Sequence, residues 1–413
     1  MMEGARPASR CEWIAGEWRQ MLDRLVLARN YLLDCFASVL PGPKQSPGLR
    51  KYLLVVKLDA IGDFVLWLDA AAGLRRLYPA DRYYLVLVAN ALWADLAAQQ
   101  PYFEEIIPLD TRRLPSFQYR ATMWKKLRGR PWDLAINPTY SRHFPYDDAV
   151  IRVCGATERI GFQGDLSNQR AFELAISDRW YTRLVPASPE PLMELERNAE
   201  FVRALGLKDF RAGVPALKVT AEPPPLLTGS GYCVVVPGAS LPIKQWPLNN
   251  FAELVQRIRS RYGLMVVVCG AAAERELGQR LMQLVPDAAG TMHDMTGSTS
   301  LAEFTAIIKG ASLVVANDSS AVHIAAAVGT KSICFAGGGH YGRFVPYRVE
   351  AEANGPLPVT VMHRMECYHC NWNCVCQYRG GAAPCLEQIS PDDAWREVQA
   401  LLSDPRNPLH PTT

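Results

Sequence analysis

Residues 311–335, ASLVVANDSSAVHIAAAVGTKSICF, constrain the fold more than any other stretch of the chain. Leu313-Val314-Val315-Ala316 is a short apolar run of buried-strand type, and it stops at four polar residues, Asn317-Asp318-Ser319-Ser320. Asp318 and Ser319 are natural N-caps, Val322 to Val328 supply a small apolar helix, Gly329 closes it, and Ser332 to Phe335 resume strand character. Strand, polar elbow, helix and strand follow one another. Such an elbow presents unpaired backbone N–H groups at the positive end of a helix, at the carboxyl edge of a parallel sheet, where a phosphate can sit. His323, one turn in, is placed to add a donor. The plainer reading stands beside it at this stage: Asp318 and Ser319 cap a helix and His323 is a satisfied core histidine.

The rest of the chain repeats the pattern. Lys51–Lys57 reads as a strand, residues 58–63 as a turn, and Phe64–Leu77 as a helix; apolar runs follow at Tyr83–Val88, Glu105–Pro108 and Asp133–Ile136 with helical patterns between. A long helix over 189–206 ends at Gly206. The alternation restarts with strand Tyr232–Val236, helix Asn250–Arg261, strand Leu264–Cys269 and helices over 272–284 and 301–309. Between the two series, Pro223-Pro224-Pro225 and Thr228-Gly229-Ser230-Gly231 break the composition. The expected division is an N-terminal helical extension over 1–49, a Rossmann-like domain over 50–222, a linker over 223–231, a second Rossmann-like domain over 232–390 with a cysteine-rich loop at 367–385, and a C-terminal helix and tail over 391–413 that crosses back to the first domain.

With 413 residues, 49% hydrophobic and 21% charged, the chain is long enough for two ordinary domains. A formal net charge of +3 argues against a dedicated nucleic-acid binder. No apolar run approaches the roughly 20 residues that span a bilayer, and the N-terminus lacks the order of a signal peptide. Of the eleven cysteines, Cys233, Cys269 and Cys334 lie in strand-like runs, as reduced core residues of a cytoplasmic protein do.

In the extension, Trp18, Met21, Leu25, Ala28, Leu32 and Phe36 recur at helical spacing with Arg19, Asp23, Arg24, Arg29 and Asp34 between, an amphipathic helix closed by Pro41-Gly42-Pro43. Two readings compete: contact with the inner-membrane surface through residues 13–40, or packing on its own protein or a second copy. Arg112, Arg113, Arg120, Lys125, Lys126, Arg128 and Arg130 form a basic run, either a solvated face or an acceptor-binding surface centred on Lys125, Lys126 and Arg128.

Three loops fall after strands, where open α/β sheets gather ligands: one carrying Asp63, one with Gly238, Ser240 and Lys244, and the elbow. Gly238 permits backbone approach, Ser240 offers a hydroxyl and Lys244 a mobile charge, a set suited to a diphosphate. There is no GxxxxGK[ST], and no GxGxxG follows the first strand, which disfavours a P-loop kinase and a dinucleotide dehydrogenase. Cys367-x-x-Cys370-x-x-x-Cys374, with Cys376 and Cys385 beyond, is a local thiol cluster able to close a tetrahedral zinc or iron site, with Cys367, Cys370, Cys374 and Cys385 the preferred ligands.

Leu58-Asp59-Ala60-Ile61-Gly62-Asp63-Phe64, Pro237-Gly238-Ala239-Ser240 with Lys244-x-Trp246-Pro247, and Asn317-Asp318-Ser319-Ser320-Ala321-Val322-His323 through Gly329-Thr330 together resemble glycosyltransferase family 9, the bacterial heptosyltransferases. The resemblance runs over roughly residues 50–400, and the family often carries cysteines in the region of this cluster. It implies a GT-B fold of two facing Rossmann-like domains with mainly parallel sheets, the acceptor on the first and the nucleotide sugar on the second. It implies an inverting, metal-independent glycosyltransferase that needs no catalytic cofactor, moves a sugar such as heptose from ADP-heptose onto lipopolysaccharide or another cell-surface glycan, and works in the cytoplasm, peripherally on the inner membrane. The implied roles are Asp63 as general base, Ser240 and Lys244 on the diphosphate with Gly238, Asp318 near the donor sugar, and Ser319, Ser320 and His323 on phosphate. No nucleic acid is implied. Ser320 stands where the family commonly has Gly, and Ala336-Gly337-Gly338-Gly339-His340-Tyr341-Gly342-Arg343 differs from the usual Phe-Gly-Pro-Thr run.

The chemistry agrees with those roles. Inverting transfer needs one group to take the acceptor hydroxyl's proton and another to neutralise the departing diphosphate. A free Asp, with a pKa near 3.9, is a feeble base, and a helix N-terminus makes it feebler, so partial burial has to offset this. Other classes fit the same residues: a GT-B-fold nucleotide-sugar epimerase, or a non-catalytic nucleotide-sugar-binding or scaffold protein.

Overall fold

The computed structural model describes residues 10–43, 48–229, 231–285, 290–349, 355–376 and 381–403, with side chains from Leu25 onward. From the N-terminus its elements are α1 (Arg10–Val39), β1 (Lys51–Lys57), α2 (Ile61–Leu77), β2 (Tyr83–Asn90), α3 (Ala94–Ala98), β3 (Glu105–Leu109), α4 (Phe117–Arg128), β4 (Leu134–Asn137), α5 (Ala149–Cys154), β5 (Glu158–Phe162), α6 (Ala171–Ser177), β6 (Arg183–Val185) and α7 (Glu194–Leu205). The second series is β7 (Tyr232–Val236), α8 (Leu248–Tyr262), β8 (Met265–Val268), α9 (Arg275–Leu284), β9 (Met292–Asp294), α10 (Leu301–Gly310), β10 (Leu313–Asn317), α11 (Ser320–Val328), β11 (Ser332–Phe335), β12 (Val359–Val361), α12 (Pro384–Glu387) and α13 (Pro391–Leu402). Trp18 and Met21 of the expected amphipathic face, Ser230 of the expected linker and the tail 404–413 lie outside the described residues or side chains.

The first sheet has the order β3-β2-β1-β4-β5-β6 and the second β9-β8-β7-β10-β11-β12. Every pairing is parallel. Each series is thus a doubly wound α/β sheet, and the order reverses between β1 and β4 and again between β7 and β10. Helices on both faces explain the strand sequences: Leu53 to Val56 and Cys233 to Val235 are fully buried, as continuous rather than alternating apolar runs must be. The fold is a two-domain, GT-B-like α/β architecture.

Contacts divide the chain into two compact units, one comprising Met1–Leu58, Tyr78–Ala94 and Phe103–Ala187, the other Asp59–Leu77, Asp95–Tyr102 and Ser188–Thr413. The expected boundary near residue 223 is therefore not where contacts separate: α2 packs on α7 and α11 and groups with the second sheet. Asp69 of α2 accepts a 2.9 Å bond from Gly213 N, and Asn198 of α7 reaches Leu66 O at 3.4 Å. The C-terminal helix also departs from expectation. Rather than crossing to the first domain, α13 buries Ala394, Val398 and Leu402 in the cluster that holds Val266, Ile333 and Phe335 of the second sheet.

In the first unit, α1 packs on α4 and α5 and buries Asn30, Asp34 and Ala37. Asp34, 3% exposed, accepts from Arg120 Nε at 2.7 Å, from Arg120 NH2 at 2.6 Å and from Trp124 Nε1 at 2.7 Å. Leu25, Leu32, Phe36 and Val39 are 58, 67, 63 and 77% exposed. Arg120, expected in a basic surface run, is instead the buried partner of Asp34, and Arg130 forms a bidentate pair with Glu105 at 2.5 and 2.9 Å. Lys125 and Lys126 are exposed in the last turn of α4, where cations complement the helix dipole; Arg128 is half-buried, with NH1 3.5 Å from Val153 O.

Candidate active site

The site is built at the switch point of the second sheet, where β7 and β10 run side by side. Asn317, fully buried at the end of β10, ties the two following loops together: its Nδ2 donates to Pro237 O at 2.7 Å and Gly238 O at 3.2 Å, and its Oδ1 accepts from Trp246 N at 2.8 Å. A buried amide with both ends satisfied fixes two loops at once. Trp246 anchors the second loop in the core, stacked on Phe335 at 3.9 Å between ring centroids and donating through Nε1 to Ile389 O at 2.9 Å. Lys244, two residues earlier, thereby comes to lie 3.9 Å from Asp318 Oδ2. Ser240 is exposed on the same loop. Gly238 is buried, and the space a side chain there would occupy is filled by the Glu274 carboxylate, 1.9 Å from an ideal Cβ.

Ser319 holds the N-cap position of α11 but makes no side-chain capping bond, and its buried Oγ has no hydrogen-bond partner among the described residues. The expected side-chain cap is thus not made; of the first-turn N–H groups, Val322 N donates to Ser319 O at 3.2 Å. His323 is 3% exposed, shares a 2.9 Å hydrogen bond between Nδ1 and Tyr347 Oη, and lies parallel to that ring at 5.9 Å. Burial lowers its pKa from 6.5 to about 4, with Asp318 opposing and Lys244 adding to the shift, so the imidazole is neutral at physiological pH.

The first turn of α2 meets this elbow. A Cβ on Gly62 would stand 3.0 Å from His323 Cδ2 and 3.8 Å from Ser320 Cα, so a residue without a side chain is what lets the two helix starts approach. Asp63, half-buried, occupies the next position in that turn. The starts of α2 and α11 thus meet at Gly62, and the Lys244–Asp318 pair stands at the same elbow of α11.

Sequence reasoning passed over several residues here. Glu194 of α7 accepts from Arg343 Nε at 3.3 Å, and its N–H donates to Arg343 O at 2.7 Å, fastening the 340–348 loop. Tyr347, the partner of His323, carried no local signal, whereas a lone Asn closing a buried strand is a sign that could have been used for Asn317. The thiols of Cys367, Cys370, Cys374, Cys376 and Cys385 line one recess with Ile243, Gly338, Gly339 and Trp372. Among the described residues no three His, Cys, Asp or Glu side chains converge closely enough to hold a metal ion as they stand.

Two doubly wound parallel sheets, each with its own switch point, define a two-domain α/β protein of GT-B-like fold. The family model for glycosyltransferase family 9 (heptosyltransferase) matches residues 120–367, and the chain belongs to that family; it is a glycosyltransferase. It is similar to lipopolysaccharide heptosyltransferase 1 of Pseudomonas aeruginosa, 26% identical over 316 residues, which cover 70% of this chain and 81% of the relative. Among solved structures, E. coli ADP-heptose lipopolysaccharide heptosyltransferase II superimposes with a TM-score of 0.62 at 19% identity, covering 86% of this chain and 98% of the other. A family 9 glycosyltransferase from Veillonella parvula gives a TM-score of 0.65 at 15% identity, with 88 and 99% covered.

Proposed function

We propose that the chain transfers heptose from ADP-heptose onto a lipopolysaccharide acceptor by a single inverting displacement. The observation that carries this reading is the meeting of the α2 and α11 N-termini at Gly62 and His323, with Asp63 next in sequence. Asp63 takes the proton of the acceptor hydroxyl as its oxygen attacks the anomeric carbon. The bond from that carbon to the diphosphate breaks on the opposite face, and the charge passes to the nucleoside diphosphate. N–H groups of the first turn of α11, the hydroxyls of Ser319 and Ser320, and Lys244 receive it, while Asp318 holds Lys244 and borders the sugar. His323, neutral, serves as a hydrogen-bonding group rather than a cation. No step calls on a cofactor. The donor is also what the similar E. coli protein is named for, and the acceptor what the P. aeruginosa relative is named for. Incubation with ADP-heptose and a heptose-free lipopolysaccharide acceptor tests it: product with an inverted anomeric centre is expected, and transfer only from UDP- or GDP-sugars, or turnover of donor without any acceptor, contradicts it.

Lys125, Lys126 and Arg128 are proposed to meet an anionic acceptor from the first unit, the two lysines by exposure and the arginine as backing. The outward face of α1, with Leu25, Leu32, Phe36 and Val39 exposed beside Arg29, supports peripheral attachment to the cytoplasmic face of the inner membrane. Thiols around one recess suit a structural zinc or iron ion. Cys367, Cys370 and Cys374 with Cys385 are the proposed ligands, and Cys376, which lines the same recess, is an alternative fourth. Metal analysis of the purified protein decides this: one tightly held ion per chain is expected, and fully alkylatable thiols with no metal rule it out.

A further inference from the structure

Among the described residues, the non-glycine residues with positive φ are His369 at 70°, Asn371 at 48° and Trp372 at 61°. Asn tolerates this region; His and Trp occupy it only where the surroundings impose it. Those surroundings are the glycine run after β11. His369 N donates to Gly338 O at 2.8 Å, Asn371 N to Gly339 O at 3.1 Å, and His340 Nε2 lies 2.7 Å from Asn371 Oδ1. The Trp372 ring lies on the run itself: a Cβ on Gly337 would be 2.9 Å from its Cη2, and one on Gly339 2.3 Å from its Cε2. Gly337 and Gly339 are thus the bed on which the indole is laid, while Gly338 makes room for the Tyr368 ring. Lys244 Nζ stands 5.4 Å from the ring centroid, within the range of a cation–π contact, with its side chain only 12% exposed. Trp372 Nε1 is buried and has no hydrogen-bond partner among the described residues.

We propose that Trp372 is a positioning residue for the donor site: its indole face holds Lys244 in the place from which the ammonium meets the diphosphate, and the strained 369–372 turn exists to present that face. The inference rests on the donor reading above. Lys244 has four rotatable bonds and two neighbours, Asp318 and Trp372, that restrict them. Asp318 fixes its distance from the elbow; the ring fixes its direction and shields it from water. Without the ring, the lysine keeps its charge but loses its pre-organisation, and the loss falls on donor binding rather than on the acceptor.

The test is calorimetric titration of ADP into the full chain, with Trp372→Phe, Trp372→Leu, Lys244→Met and the Leu/Met double variant. Trp372→Leu is expected to weaken ADP about tenfold and Trp372→Phe, which keeps an aromatic face, no more than about threefold. In the Lys244→Met background, Trp372→Leu is expected to add no loss, and in steady-state transfer the Leu variant raises the donor KM while leaving the acceptor KM unchanged. Wild-type affinity in Trp372→Leu, or the same loss repeated in the Lys244→Met background, overturns the proposal. Should the Leu variant not fold, Trp372→His, with a weaker ring face, replaces it under the same two criteria. Failure of the wild-type chain to bind ADP at all strikes the donor reading instead; inorganic pyrophosphate, titrated into the same variants, then still decides the role of Trp372.

Discussion

His323 shows how one residue can be both core and site. Its ring is enclosed, bonded to Tyr347 and pressed by Gly62, and burial holds its pKa down to about 4. Between pH 6.5 and 4 the unfolded chain therefore binds a proton that the folded chain refuses. Stability on this account is full above pH 6.5 and falls as the pH drops through that window, by about 3 kcal/mol in all. Urea unfolding from pH 7 to 4 is expected to show this slope in the wild-type chain and a flatter one in His323→Gln; parallel slopes would mean the ring is not enclosed as described. The sequence-based alternatives for this residue, phosphate donor or satisfied core histidine, turn out to be less opposed than they looked, since a buried ring with one nitrogen bonded to Tyr347 still has a second nitrogen. What the sequence did not disclose was Tyr347, because a contact across 24 residues leaves no local periodic trace.

At the scale of elements, the central fact is the approach of α2 to α11. Gly62 has no left-handed backbone requirement, so Gly62→Ala suits the helix and removes a glycine's unfolded-state freedom. Its Cβ nevertheless meets the His323 ring at 3.0 Å. Gly62→Ala is expected to lower transfer about 10- to 100-fold, as small misplacements of reacting groups do; unchanged transfer would show that the helix starts need not be this close. Most of these elements were legible. Lys51–Lys57 and Tyr232–Val236 match β1 and β7 residue for residue, because fully buried parallel strands advertise themselves as apolar runs between turns. The starts of helices were less so: α2 begins at Ile61 rather than after Asp63, which puts Asp63 inside the first turn. Strands of three residues, β6, β9 and β12, are too short to show a period. The thiol recess was legible as spacing, but not its bed of glycines.

For the whole molecule, α1 bears on the two sequence-based readings of the extension, membrane contact or packing on protein. Helical periodicity found its apolar stripe, whose described residues Leu25, Leu32 and Phe36 face out, while Asp34, held by Arg120 and Trp124, is buried beside Ala37 of the core. A buried charge pair costs about as much desolvation as its attraction returns, so it specifies orientation more than it stabilises. Among the described residues no helix is long and apolar enough to cross a membrane. Flotation with vesicles containing anionic lipid should carry the wild-type chain and leave Leu32→Glu with Phe36→Glu behind; equal flotation of both, or a dimer that the pair of substitutions dissociates, would point to another use of the face.

The division of labour between an acid–base carboxylate and an anion seat is best tested on Asp63. Replacing it by Asn keeps its size and its place in the first turn of α2 and removes only its basicity. Transfer from ADP-heptose should fall by about 10²- to 10⁴-fold while ADP binds as tightly as to the wild-type chain. Transfer at the wild-type rate in Asp63→Asn, with the nucleotide bound, would contradict the account.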